Sequence, residues 1–368
     1  MEQKKLSMRE ILTFAVFIGA VGVLFALNLI LPKPDILVAE RRAPARFPDL
    51  TLRSVMSADF MKKFENYAAD NFVFRDTFRA VRTFTVLDVF MQSDKSGLYI
   101  SSDVGRGEFK RTDETAFRQT AGKIRTVAES LRDMNVYYSI IPDKSVFSEK
   151  YMPGFDLGRA EDILSEELAG FSYIPLEGVL GAESYYKTDL HWDQTKIDGV
   201  ARRVTSYTGA QSIGSDANAQ ESAGEFRGVY AGQLALPTAP DIMGYSPDAG
   251  LKAHYLNTQT LAFEEGPVYD AERFTGVDPY DFFLRGPQPL IVLENENAPQ
   301  ERELFLFRDS FGSSLAPLLA KYYSKITLID LRYINAQLLD DFVAFTPGAD
   351  VLFMYGSQIF NNSSVLQV

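Results

Sequence analysis

Ser310, His191 and Asp189 are the residues of this chain whose types and settings point to chemistry. A serine hydroxyl is a weak nucleophile until a base takes its proton. Histidine suits that task near neutral pH. A carboxylate on its second ring nitrogen fixes the tautomer and stabilises the cation. Asp189 and His191 are separated by one residue, so a turn or an extended strand puts both on one side. Ser310 lies far along the chain, and only the fold can bring it to the pair. The chemistry these three would perform is acyl transfer through a covalent serine intermediate.

The setting of the serine is informative. Leu304-Phe305-Leu306-Phe307 runs into Arg308-Asp309-Ser310, and Gly312, Leu315, Leu318 and Leu319 follow. The pattern predicts a buried strand, a sharp turn and a helix. A serine there sits among the unpaired N–H groups of a helix start, which can stabilise an oxyanion. Ser310 or Ser313 could equally be a plain helix cap. Asp309 is the rival carboxylate. Adjacent strand residues face opposite ways, which gives it a structural or supporting role. Trp192 can stack on a sugar ring or pack in the core. Lys144 ends the turn Pro142-Asp143-Lys144, where it can orient an anionic group or stand in solvent. His254 has no nucleophile near it and reads as a surface or structural histidine.

The elements that must position these residues follow an α/β alternation. Residues 112–133 carry helical spacing, with Thr112 or Asp113 as the cap, and Val136-Tyr137-Tyr138-Ser139-Ile140-Ile141 is strongly β-prone. Asp193 or Thr195 starts a helix that runs to about Tyr207. Strands are expected at Leu290-Ile291-Val292-Leu293, at Leu304-Phe305-Leu306-Phe307, at Ile326-Thr327-Leu328-Ile329 and at Val351-Leu352-Phe353-Met354, with a helix over 335–345. This implies a mostly parallel, helix-flanked sheet. Periodicity weakens over 209–286, which reads as an irregular or β-rich insertion able to wall a substrate. Near the start, residues 57–69 are helical, and an aromatic stripe over 72–90 is expected to pack a core.

Composition narrows the function. The net charge is −12 with no dense basic run, which argues against a nucleic-acid partner. Cysteine is absent and only two histidines exist, so neither a cysteine nucleophile nor a multi-histidine metal site is expected. Lys4, Lys5 and Arg9 precede an apolar run over 11–31, about the length of a bilayer crossing. Residues 1–31 are therefore read as a cytoplasmic start and transmembrane anchor, with the rest extracytoplasmic. Pro32-Lys33-Pro34 replaces the small-residue pattern of a cleaved signal peptide, the competing reading. Residues 32–54 form a linker and 55–368 the main domain.

Thr188-Asp189-Leu190-His191-Trp192 resembles the Asp-His-His-Trp signature of the DHHW protein family, which is similar to the alginate O-acetylation proteins of the SGNH hydrolase-like superfamily. The anchor, the Arg/Pro-rich segment 40–48, the aromatic segment 71–76, Ile141-Pro142-Asp143-Lys144 and the late Asp-Ser-Phe element extend the resemblance over residues 35–360. It implies an SGNH hydrolase-like α/β fold and a triad of Ser310, His191 and Asp189, with the Asp-His pair ahead of the serine. It also implies a membrane-anchored O-acetyltransferase or acetylesterase acting on a secreted or cell-surface polysaccharide, beside a membrane-bound O-acyltransferase. No cofactor is expected. Leu190 stands at the first histidine of the signature, and Arg308 where an SGNH esterase has glycine. Arg308 would narrow the site or bind an anion. Gln358, Asn361 and Asn362 are the oxyanion donors suggested by position. The competing function is a catalytically silent glycan-binding or scaffold protein, suggested by the aromatics and acids of 209–286.

Overall fold

The computed structural model describes residues 7–148, 154–211, 219–247, 250–298 and 300–368. Lys4 and Lys5, the basic residues expected ahead of the apolar run, lie outside them. The chain divides into two compact units, Met1–Gln92 with Gly232–Leu236, and Ser93–Ala231 with Pro237–Val368.

The first unit is helical. α1 (Met8–Ile30) starts at a capping box in which Ser7 and Glu10 satisfy each other's backbone N–H groups. It buries no side chain, and by length and composition it is able to cross a membrane. A short turn at Val38–Glu40 leads to α2 (Leu52–Met56), α3 (Asp59–Asp70) and α4 (Arg75–Phe84). The aromatic stripe does not pack a core: Phe74, Phe78 and Val81 are 54%, 49% and 57% exposed. Ion pairs take the inward side instead. Arg42 meets Asp70 at 2.6 Å and Arg75 meets Glu40 at 2.5 Å. These contacts group the segment after α1 with α3 and α4 in the first unit, and the second unit starts at Ser93.

The second unit opens with an antiparallel hairpin, β1 (Leu98–Ser101) and β2 (Gly105–Glu108). α5 (Glu114–Ser130) is capped by Asp113, whose carboxylate accepts the Ala116 N–H at 3.0 Å. Its buried Phe117, Ala121, Ile124 and Ala128 recur at helical spacing. Then come β3 (Asn135–Ile141), α6 (Leu157–Glu167), β4 (Ser172–Tyr173) and α7 (Asp198–Thr208). β5 (Glu221–Phe226), α8 (Val229–Leu234), β6 (Asp241–Tyr245), β7 (Leu251–Leu256), β8 (Phe263–Gly266) and α9 (Ala271–Phe274) form the stretch read as an insertion. β9 (Leu290–Asn295), β10 (Glu303–Arg308), α10 (Phe311–Leu319), β11 (Lys325–Ile329), β12 (Asp350–Gly356) and α11 (Ser357–Phe360) complete the chain.

Eight strands form one mixed, mostly parallel sheet in the order β4-β3-β12-β10-β11-β9-β7-β8. β4, β3, β12, β10 and β11 are parallel, and β9, β7 and β8 pair antiparallel at one side. The supposed insertion therefore supplies two strands of the sheet, beside the separate β5–β6 hairpin. The expected helix over 335–345 is a short 3-10 turn, Ala336–Asp341. β10 lies inside the sheet and is buried on both faces. Phe305 and Phe307 join one core cluster, Leu304 and Leu306 the other. Each such side chain contributes about 2 kcal/mol by leaving water. This anchoring makes the carboxyl end of β10 a rigid place for Ser310.

Candidate active site

The turn after β10 leaves the Ser310 hydroxyl unused by the helix. Ser310 stands at the N-cap of α10 but makes no capping bond with its side chain. Asp309 does that work. Its Oδ1 accepts the Phe311 N–H at 3.0 Å and its Oδ2 accepts the Gly356 N–H at 2.7 Å, joining the ends of β10 and β12. Burial raises the Asp309 carboxyl above its ordinary value, against the pull of Arg332 and these two N–H groups. Ser313 Oγ accepts from Arg308 Nη1 at 3.1 Å.

The fold brings Ser310, His191 and Asp189 into one hydrogen-bonded line. His191 Nε2 is 2.8 Å from Ser310 Oγ. His191 Nδ1 is 2.7 Å from Asp189 Oδ1, which also accepts the His191 backbone N–H at 3.1 Å. Asp189 is fully buried, His191 nearly so, and Ser310 only partly. With Nδ1–H held by the carboxylate, Nε2 carries the lone pair that faces the serine.

The loop bearing the Asp-His pair is fixed from several sides. Asp189 Oδ2 accepts the Val229 N–H at 2.9 Å. Thr188 Oγ1 donates to Asp241 Oδ2 at 2.5 Å and accepts the Gly228 N–H at 2.8 Å. Gly228 approaches so closely that an added Cβ would lie 2.3 Å from Asp189 Cβ. Lys144 is 2% exposed, not the solvated turn residue its sequence suggests. It donates to the Asp189 carbonyl at 2.8 Å and the Tyr186 carbonyl at 3.0 Å. Burial pushes its ammonium down to about 8. A neutral amine still has the two protons these carbonyls need.

Tyr280 lies flat on the imidazole, with centroids 3.7 Å apart and planes within 5°. Its hydroxyl donates to Ser314 Oγ at 2.7 Å. Trp192 Nε1 donates to the same oxygen at 2.8 Å. Trp192 is fully buried against Phe311, so it offers no face to a sugar. Tyr280, Asp241 and the Gly228–Val229 backbone carried no sequence signal beyond their place in an irregular stretch with recurring aromatics and acids.

Arg308 is buried. Besides Ser313 it reaches the Asp309 carbonyl at 3.3 Å and lies 3.6 Å from Asp330 Oδ2. Its Nε and Nη2 have no hydrogen-bond partner among the described residues. Burial pulls its guanidinium below the ordinary value. Of the three suggested oxyanion donors, Asn361 is committed elsewhere, accepting the Asp113 N–H and donating to the Arg111 carbonyl. Asn362 accepts from Ser364 in a local turn. Gln358, on α11, donates from Nε2 to Tyr230 Oη at 3.4 Å among the described residues. His254 sits on β7, 3.6 Å from Glu294. Among the described residues no three His, Asp or Glu side chains gather as metal ligands would.

The fold and the placement of the serine define an α/β protein with a mostly parallel sheet, and known structures share it. A DHHW family protein from Eubacterium siraeum superposes with a TM-score of 0.58 at 20% identity, over 73% of this chain and 93% of that one. PatB1 of Bacillus cereus, solved with a sulfonyl adduct, gives 0.55 at 15% identity, over 73% and 99%. The O-acetyltransferase domain of AlgJ from Pseudomonas putida gives 0.44 at 11% identity, over 73% and 93%. No family model matches the chain, and no curated protein matches it significantly. At these identities the likeness is one of fold.

Proposed function

We propose that this chain is a membrane-anchored serine O-acetyltransferase or acetylesterase acting on an extracytoplasmic polysaccharide. One observation carries the reading: the line Ser310 Oγ, His191 Nε2, His191 Nδ1, Asp189 Oδ1, with links of 2.8 and 2.7 Å. In the first step His191 Nε2 takes the Ser310 proton as Oγ bonds to the acyl carbonyl carbon. Asp189 stabilises the imidazolium that forms. Collapse of the tetrahedral species breaks the ester bond, and His191 returns its proton to the departing alkoxide. The acceptor hydroxyl then bonds to the acyl carbon of the Ser310 ester as His191 takes its proton, and collapse breaks the Oγ–acyl bond while His191 returns the proton to Ser310 Oγ. The acceptor is a sugar hydroxyl in a transferase and water in an esterase. Oxyanion charge falls to the Ser310 N–H at the start of α10 and to the Gln358 side chain.

The shared fold supports a covalent nucleophile, because PatB1, which superposes on this chain, is solved with a sulfonyl adduct. Sulfonyl reagents capture nucleophilic side chains, the part assigned here to Ser310. α1 supports a place at a membrane; in this reading the site lies outside and a membrane-bound acyltransferase supplies the acetyl donor. The test is turnover of an activated acetyl ester, with and without an acceptor oligosaccharide. Ser310→Ala is expected to lose about 10⁴-fold or more. Equal turnover in the variant would overturn the reading.

A further inference from the structure

In the first unit, α4 is amphipathic the wrong way round for a water-soluble helix. Its charged side faces inward. Arg75 and Arg79 are only 17% and 18% exposed, and both reach Glu40 Oε1, at 2.5 and 3.3 Å. Arg79 also donates to the carbonyls of Gly232 and Gln233 at 3.0 Å, and Thr83 Oγ1 to that of Leu234 at 2.7 Å. The apolar residues face outward: Phe78 and Val81, with Phe74 at the N-cap, are about half exposed and share one helical face. α3 continues the surface with an open groove lined by Met61, Phe64, Ala68, Ala69 and Phe72, rimmed by Lys62 and Glu65, and Phe72 meets Phe78 of α4 with ring centroids 5.7 Å apart. A chain surrounded by water does not leave a contiguous patch of this kind bare.

The patch lies at one end of the apolar helix. Asn28, two residues before α1 ends at Ile30, accepts the Val73 N–H on its Oδ1 at 3.1 Å. Lys33 Nζ fastens the same corner, donating to the Asn28 carbonyl at 2.6 Å and the Asn71 carbonyl at 3.0 Å. Val73 is flanked by Phe72 and Phe74 in the turn between α3 and α4. If α1 spans a bilayer, this turn is at the depth where the helix leaves the hydrocarbon. Aromatic and apolar side chains at that depth are stabilised by the headgroup–acyl boundary.

We propose that the outward face of α3 and α4 lies in the lipid interface of the membrane α1 crosses, so that the first unit is a membrane-seated base and not a free tether. This rests on α1 lying in a bilayer and is independent of the chemistry at Ser310. Lipid is the occupant because the hydrophobic phase is already adjacent at the tethered end of α1, whereas a protein partner would have to be recruited.

The chain has no cysteine, so single labelling sites can be introduced cleanly. The full-length chain, carrying Phe74→Cys or Phe78→Cys with a nitroxide label, would be reconstituted in phosphatidylcholine–phosphatidylglycerol vesicles. Collision of the label with oxygen, which partitions into lipid, is compared with collision with a water-soluble nickel chelate. Val16→Cys in α1 and Tyr333→Cys in the second unit give the hydrocarbon and aqueous references. Positions 74 and 78 should show an oxygen-to-nickel ratio several-fold above position 333 and below position 16. A ratio equal to that of position 333 would overturn the proposal. Shielding from both reagents would also overturn it, by pointing to a protein surface such as a second copy. An aqueous ratio at position 16 would remove the bilayer from this end of the chain, and the proposal with it, while leaving the Ser310 reading intact.

Discussion

At the scale of single residues, the account rests on what holds each ring nitrogen of His191. Asp189 Oδ1 takes Nδ1 and Ser310 takes Nε2. Asp189→Asn keeps the shape but presents an amide, which favours the wrong tautomer. We expect kcat to fall about 10⁴-fold. A fall of less than about tenfold would mean that Asp189 orients nothing, by the same reasoning. Gln358 is the side chain left over near the Tyr230 hydroxyl, with one long bond. As an oxyanion donor its loss in Gln358→Ala should lower kcat by about 10²-fold and leave KM nearly unchanged. A change confined to KM would assign it to substrate binding. The Asp-x-His pair was legible in the sequence because proximity across one residue costs almost nothing. Tyr280 was not, because its stacking on His191 depends on contacts between distant segments. Trp192 stood open between a sugar platform and packing in the core, because burial is invisible in a tetrapeptide.

At the scale of elements, the decisive feature is that the Asp-His loop is held by groups from other segments. Lys144, after β3, binds two carbonyls of that loop, and Asp241 of β6 holds its Thr188. Lys144 loses its proton near pH 8 in the folded chain and at about 10.4 once unfolded. Between those values the unfolded chain holds the extra proton, so the Lys144 contribution to stability rises with pH. Thermal melts of wild type and Lys144→Met across this window should show wild type gaining on the variant as pH increases. A gap independent of pH would mean that the buried lysine keeps its charge. The strand-turn-helix at Ser310 was legible from four apolar residues followed by small ones. The participation of β7 and β8 in the sheet was not. They sit at the antiparallel side, where half-exposed strands carry short, mixed patterns instead of continuous apolar runs. A lysine after Pro-Asp likewise reads as a turn residue unless the carbonyls it serves are known.

At the scale of the whole molecule, the chain carries a rigid sheet that presents Ser310 and a separate helical unit that includes α1. The mostly parallel sheet was readable from the alternation of helices and β-prone runs. The ion pairs that group α3 and α4 with Glu40 and Asp70 were not, because they look like surface charge in the sequence. The stripe of phenylalanines was misread for the same reason: periodicity shows that one face is apolar, not which way that face turns. The inward charges are what decide it.

The central claim is that Ser310 carries the acyl group. The most direct measurement is to expose the full-length protein to an activated acetyl ester, quench it in acid and map acetylated peptides by mass. Acetyl is expected on Ser310 in the wild type, none at that peptide in Ser310→Ala, and a strongly reduced amount in His191→Ala. An unmodified Ser310 under conditions where the ester is turned over, or acetyl accumulating on another residue as an intermediate, would contradict it.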